Sequence, residues 1–323
     1  MKKLSYLFAS ALALVSFSAT AQNYPDRPIT LVVPFVAGGP ADAMGRVIGQ
    51  AMASALNQSI VIENLGGAGG TLGAGRAARA QPDGYTMVLT HSGQPASATL
   101  YRKLPYHPVE GFDTIGMIAE VPMAVIGKKD LPPKDARELL EHIRTAKDGV
   151  SLANGGIGSA SHLCGLLFMT ALQTKMHVVP YRSAAPALND VLGGRIDVLC
   201  DQTISTTEHI KAGSVKGYAT TMKTRVPTLP EVPTLHESGL PGFDLSIWYG
   251  LLVPKGAQQP IIDKLASALK TASSDPAVVK RLGEFSAQMI EWERANPAAF
   301  AKFFRAEAAK LAPVITASGS YAD

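Results

Sequence analysis

Gly38-Gly39-Pro40-Ala41-Asp42 follows a short apolar run, Leu31-Val32-Val33. It precedes an apolar stripe at helical spacing: Met44, Val47, Ile48, Ala51, Met52 and Ala55. The chemistry this stretch offers is anion binding by backbone. With Gly39 as N-cap, Pro40 falls at the first helical position, where a missing N–H is harmless. Asp42 falls two residues later, where an acid reaches back to the cap's own N–H. Glycine has no side-chain oxygen, so the N–H groups of Ala41 and Asp42 are given no side-chain partner. They point past the C-terminal end of a strand, where open α/β sheets hold ligands. Bare N–H groups and the positive end of the helix dipole favour an anion there. The same glycines would also serve a tight strand-to-helix turn with nothing bound.

Asn154-Gly155-Gly156-Ile157-Gly158-Ser159 repeats the arrangement after a second strand pattern, with Ser159 as N-cap and His162 on the first turn. Leu163, Leu166, Leu167 and Ala171 form its stripe. A histidine at this place can equally cap or pack. The two helix starts lie about 120 residues apart, which suggests one in each of two domains with a ligand clamped between them. Neither carries Lys or Arg, and the nearest cation, Arg46, is one turn further on. Neutral donors are therefore expected to hold the anion. Asp201 ends another strand pattern and is a candidate polar lining residue.

Other chemistries find little support. Gly73-Ala74-Gly75-Arg76-Ala77-Ala78 fits a dinucleotide fingerprint only loosely: no strand feeds Gly73 and no acid follows about 20 residues on. A flexible loop before a helix is the better reading. No G-x-S-x-G, H-E-x-x-H or C-x-x-C occurs. The seven histidines (His91, His107, His142, His162, His177, His209, His236) lack metal-ligand spacing. No catalytic residue, metal or cofactor is expected.

The elements that must position these residues alternate. Strand patterns run over 29–33, 60–63, 86–90, 116–121, 123–127, 150–153, 177–181, 198–201, 215–220 and 246–253, with helical patterns between most of them. From Pro260 onward the pattern is helical only, over 261–273, 276–285 and 297–318. This is the signature of an α/β protein with parallel sheets. A length of 323 residues suggests two domains. The motif after Val150 and the return strand at 246–253 place domain 1 near 22–122 plus 248–323, and domain 2 near 123–247.

A formal charge of +4, without Lys/Arg runs interleaved with aromatics, argues against nucleic acid. Lys2 and Lys3, the apolar stretch from Leu4 to Phe17 and Ala19-Thr20-Ala21 read as a signal peptide cleaved after Ala21. The expected compartment is a bacterial periplasm. Cys164 and Cys200 are read as two buried small hydrophobes, although the compartment permits a disulfide.

The chain resembles the Bug/TctC family, periplasmic solute receptors of tripartite tricarboxylate transporters, over nearly all of 24–319. The resemblance is carried by YPDRPITLVVPFVAGGPAD, VIENLGGAGGTLGA, QPDGYTMVL, LYRKLPYHPVEGF, GSASHLCGLLF, VPYRSAAPALNDVLGGRIDVLCD, HIKAGSVKGYATT and LPEVPTLHESGLPGFDLSIWYGLLVP. It implies a two-domain Venus-flytrap fold of the type II kind, with a ligand cleft between domains joined by crossing strands. It also implies binding without catalysis and delivery of a small carboxylate by a monomeric receptor to membrane permease subunits. A receptor feeding a membrane signalling protein, or an exported hydrolase, would be the alternatives. The resemblance places ligand contacts at Phe35, Gly38, Gly39, Ala41 and Asp42, at Thr90, His91 and Ser92, at Gly156, Ser159 and His162, and at Asp201. Asn64-Leu65-Gly66 stands where the family commonly has Asn-Arg-Pro, Arg182-Ser183 follows Tyr181 where it has Lys-Gly, and His91 is not expected from its pattern.

Overall fold

The computed structural model describes residues 24–146, 149–319, 321 and 322. The expected leader and its cleavage point lie outside them. In chain order come β1 (Ile29–Val33), α1 (Pro40–Leu56), β2 (Ile60–Asn64), α2 (Thr71–Ala78), β3 (Thr86–His91), α3 (Gly93–Leu100) and the long β4 (Phe112–Gly127). There follow α4 (Ala136–Ala146), β5 (Ser151–Asn154), α5 (Ala160–Leu172), β6 (His177–Pro180), α6 (Ala184–Leu192), β7 (Val198–Gln202), α7 (Thr203–Lys211), β8 (Lys216–Thr220) and α8 (Leu235–Ser238). The chain ends with β9 (Ser246–Pro254), α9 (Gln259–Ser274), α10 (Pro276–Gly283), β10 (Gln288–Met289), α11 (Trp292–Ala295) and α12 (Pro297–Ser318).

The strands run β2-β1-β3-β9-β4-β7-β5-β6, with β8 and β10 also pairing β4. β1 is parallel to β2 and β3, and β5 is parallel to β6 and β7. Every pairing of β4 and β9 is antiparallel. The expected parallel sheets are therefore present, but two antiparallel strands join them.

Two expected strands, 116–121 and 123–127, are one. Pro122 reads as a break because proline cannot donate to a ladder. Here it stands where β4 changes partners. Residues up to Pro122 pair β9, and residues from Met123 pair β7 and β8. Thr221 fastens this point: its N–H and hydroxyl both bond the Met123 carbonyl, and the hydroxyl also reaches the Leu245 carbonyl. The chain beyond Pro260 is not wholly helical, since β10 adds a two-residue edge to β4. The glycine-rich stretch after Leu65 is ordered into a 3-10 turn, Ala68–Gly70, and then α2.

Helix α1 buries Met44, Ile48 and Met52 in one core with Leu31, Val33 and Leu89 of the sheet and Leu265 and Leu269 of α9. Each such side chain contributes roughly 1.5–3 kcal/mol by leaving water. On the other face, Trp248 meets Phe300, Phe303 and Phe304 of α12 edge to face. Further along, Leu311 and Ile315 of α12 join Ala96 and Leu100 of α3 and Leu163 and Leu166 of α5. The last helix thus packs on Trp248 of β9 in one half and on α5 in the other.

Cys164 and Cys200 are fully buried, as expected of small hydrophobes, but they form a disulfide. Packing of α5 on β7 sets their Cα atoms 6.0 Å apart, within bonding range. No local motif announces a contact between residues 36 apart. A loop of that size is stabilised by about 3–4 kcal/mol through lost chain entropy in the unfolded state. The Cys164→Ala/Cys200→Ala variant should lose that amount in urea unfolding. Two reactive thiols in the denatured, unreduced protein would refute the bond.

Candidate functional site

One cavity gathers the ends of the strands from both halves. It opens to solvent, and about 40 Å³ of it is room for the centres of water-sized molecules. The β1 end contributes Phe35, Val36, Gly39, Pro40 and Ala41; β3 contributes His91 and β9 Tyr249. From the other half come Gly155, Ser159, Ala160 and Ser161 after β5, Ser183, Ala184 and Ala185 after β6, and Asp201 and Gln202 at the end of β7. Three helices, α1, α5 and α6, therefore bring their N-cap and first turn to this cavity, and a fourth, α7, reaches it with its N-cap Gln202 alone. Two were expected.

The caps explain what each terminus offers. Gly39 and Ser183 give no side-chain cap bond. Ser159 Oγ accepts from His162 N at 3.2 Å. The N-terminal N–H groups of three helices, with their dipoles, make the wall positive without any lysine or arginine. Arg46 is engaged elsewhere, donating to Asp42 Oδ2 at 2.9 Å.

Asp42 does not line the cavity. Its Oδ2 accepts from Gly38 N at 2.9 Å, one residue before the expected partner, and its Oδ1 accepts from Asn64 Nδ2 at 3.0 Å. Burial alone would raise its pKa. Hydrogen bonds from Arg46, Gly38 and Asn64 outweigh that and hold the carboxyl below its usual range. Asp42 thus braces the loop and neutralises Arg46.

His91 sits between Phe35, stacked at 4.8 Å between ring centroids, and Tyr249, edge-on at 5.9 Å. Its Nδ1 accepts from Gly93 N at 2.8 Å, so the proton of the neutral ring lies on Nε2. Burial pushes its pKa down to about 4. Thr90 lines a smaller pocket behind His91, with Thr71, Gln94 and Tyr106. Thr90 Oγ1 and Ser92 Oγ are buried without partners, and neither residue lines the main cavity.

Gly38 and Gly156 are not among the cavity-lining residues; Gly156 N donates to Asn154 Oδ1 at 2.8 Å. His162 faces a separate pocket with Asn154, Ile157 and Tyr321, and its Nδ1 accepts from Gly158 N. Of the twelve sequence-derived candidates, Phe35, Gly39, Ala41, His91, Ser159 and Asp201 share the main cavity. Ser183, Gln202 and Tyr249 were not foreseen. Ser183 had a readable signal, a serine opening a helical pattern after a strand. Gln202 and Tyr249 meet only through the fold, where Tyr249 Oη donates to Gln202 Oε1 at 2.8 Å.

The two halves also meet at the backbone of Ile157 and Gly158. Tyr101 Oη donates to Ile157 O at 2.9 Å. A Cβ on Gly69 would fall 1.9 Å from Ile157 O, and one on Gly93 would fall 2.0 Å from Gly158 O. Only glycine permits either approach. Among the described residues no cluster of His, Cys, Asp and Glu could hold a metal ion. No described helix is long and apolar enough to cross a membrane.

The buried histidines set a pH dependence. Burial pushes His91 and His162 down to about 4. The unfolded chain binds their protons near 6.5, so stability is complete above that pH and is lost as pH falls toward 4. Each contributes on the order of 3 kcal/mol to this loss. Asp201, pushed up to about 6 by burial, binds its proton more readily in the folded state and offsets part of it. The urea midpoint should therefore fall between pH 7.5 and pH 4.5, and His91→Gln/His162→Gln should flatten the profile. An unchanged wild-type midpoint would mean that both rings protonate freely in the folded protein.

Comparison with known proteins agrees with this geometry. The profile of the tripartite tricarboxylate transporter family receptor matches residues 44–320. The UPF0065 protein of the TAR-I ttuE-ttuC' intergenic region of Agrobacterium vitis is 45% identical over 95% of this chain and 89% of its own. The periplasmic binding protein BugD is 43% identical with a TM-score of 0.87, covering 92% of this chain and 99% of its own. MatC from Rhodopseudomonas palustris, solved with bound malate, is 36% identical with a TM-score of 0.86, covering 90% of this chain and 100% of its own. The family binds solutes and is not enzymatic. The chain belongs to the tripartite tricarboxylate transporter receptor family, and it is a periplasmic solute-binding protein with the two-domain α/β fold of that class.

Proposed function

We propose that this protein captures a small dicarboxylate in the cavity between its domains and presents it to the membrane subunits of a tripartite transporter. The observation that carries the reading is the meeting of three helix N-termini at a cavity lined by no Lys or Arg. One carboxylate would sit against α1, at Gly39 and Ala41. The other would sit against α5 and α6, at Ser159 and Ser183. Phe35, His91 and Tyr249 would flank the body of the ligand. Hydrogen bonds to a charged group contribute about 1.5–3 kcal/mol each, so three or four support micromolar binding after association costs. MatC, with its bound malate, supports the ligand class. The domain limits near 122/123 and 247/248 are part of the proposal; the partner change of β4 at Pro122 supports them.

Calorimetry with matched acids tests the two-ended clamp. Succinate should bind more tightly than butyrate by at least about tenfold, since each helix end contributes roughly 0.3–1 kcal/mol before hydrogen bonding. Equal affinities would reduce the second half to a cover. A second test addresses the contact between the halves at Ile157. Gly69→Ala, at φ +61°, should lower affinity by holding the halves apart. Gly213→Ala carries the same backbone cost at φ +64° but has nothing within 4 Å of its added Cβ, and should bind normally. Equal affinity of the two variants would remove any role for the Gly69 contact in binding.

A further inference from the structure

Behind the loop that carries Ser159 lies a second pocket. About 300 Å³ of it is room for the centres of water-sized molecules, against about 40 Å³ in the main cavity. The register of β5 on the edge strand β6 sets Leu152 beside Val178 and Asn154 beside Pro180, so these four share one face of the sheet. With Leu166 and Met169 of α5 they line the pocket. Tyr321, beyond α12, forms a further wall. It is held there by Arg102, whose guanidinium lies 4.4 Å from the centre of its ring, and by the Ala322 N–H, which donates to Leu100 O at 2.8 Å. The loop separates this pocket from the main cavity. Gly155, Ser159 and Ala160 line the main cavity, Ile157 and His162 line the second pocket, and Ser161 lines both.

Two donors end in the second pocket. Asn154 Oδ1 accepts from Gly156 N at 2.8 Å, and His162 Nδ1 accepts from Gly158 N at 3.3 Å. Each side chain thus spends its acceptor on the glycine loop and keeps a donor, Nδ2–H on Asn154 and Nε2–H on His162. The residues are only 3% and 8% exposed, and among the described residues neither donor has an acceptor. Leaving buried donors unpaired is costly. Burial pushes the His162 pKa down to about 4, so the ring is neutral at neutral pH and the arrangement of its protons is fixed. No Asp or Glu is among the pocket's lining residues, and His162 stands on the first turn of α5, at the positive end of its dipole.

We infer that this pocket is a second binding site, distinct from the cavity between the halves, for a monocarboxylate with an apolar body. The carboxylate oxygens accept from Asn154 and His162, and the body lies along Leu166, Met169 and Val178. A more open groove continues from these three residues to Thr174 and Lys175, so an extended chain has apolar surface to follow. The inference does not depend on which ligand the main cavity takes.

Calorimetry at neutral pH with hexanoate is the test. Hexanoate should saturate a site at millimolar concentration or below. Acetate should bind at least about tenfold more weakly, having no body to bury. Hexylamine, with a cation in place of the acid, should not bind, since both polar groups are donors. Val178 is 38% exposed on the edge strand, so Val178→Trp should fold while crowding the pocket, and should weaken hexanoate by about tenfold or more. His162→Phe keeps a ring but removes the donor, and should weaken it similarly. Ala185→Trp, at an exposed position lining the main cavity, obstructs that cavity instead and should leave hexanoate affinity within about twofold of wild type. Unchanged affinity in a folded Val178→Trp or His162→Phe variant would overturn the inference. Loss of binding in Ala185→Trp would place the acid in the main cavity and overturn it too. Hexylamine binding as tightly as hexanoate would refute the carboxylate assignment, and no saturable hexanoate binding would mean that water alone satisfies the two donors.

Discussion

One strand is shared by the ladders of both halves. β4 gives its first eleven residues to the ladder with β9 and its last five to ladders with β7 and β8. A backbone shared by both halves fixes which ends of the other strands meet. The parallel strands β1, β3, β5, β6 and β7 all deliver their C-terminal ends to one cavity. In open α/β sheets that edge is where helices begin and where ligands bind. Two such edges facing each other form a cleft with helix starts on both sides.

Much of this was readable from sequence, and the exceptions share a cause. The expected strand at 29–33 and the expected last helix match the structure residue for residue, because apolar periodicity and flanking Pro and Gly are local signals. The helix starts at Gly39 and Ser159 were legible for the same reason. What failed was nonlocal. Pro122 reads as an interruption until the partner change of β4 is seen. The disulfide depends on α5 lying on β7. His162 was placed correctly along the helix, but its ring turns to a different pocket. Asp42 was placed on the first turn, yet Arg46 and Asn64, four and twenty-two residues away, claim its carboxylate.

The electrostatic design separates attraction from discrimination. In the proposed reading, attraction comes from helix ends, whose partial charges need no counterion and no long flexible side chain to immobilise. Side-chain charge near the first helix is cancelled in place by the Asp42–Arg46 pair. On the same reading, discrimination falls to the side chains that line the cavity, among them the stacked rings of Phe35 and His91 and the edge-on ring of Tyr249.

The proposed use of main-chain N–H groups at Gly39, Ala41 and Ser183 has a genetic consequence. A codon change can delete a lysine or an arginine, but it cannot delete a peptide N–H unless it writes proline. The anchors are therefore carried by the path of the chain and are insulated from most point mutations. The side chains that line the cavity enjoy no such protection. On the proposed reading, a lineage built on this scaffold can drift from one acid to another by single substitutions there, keeping its grip on carboxylates at every intermediate step.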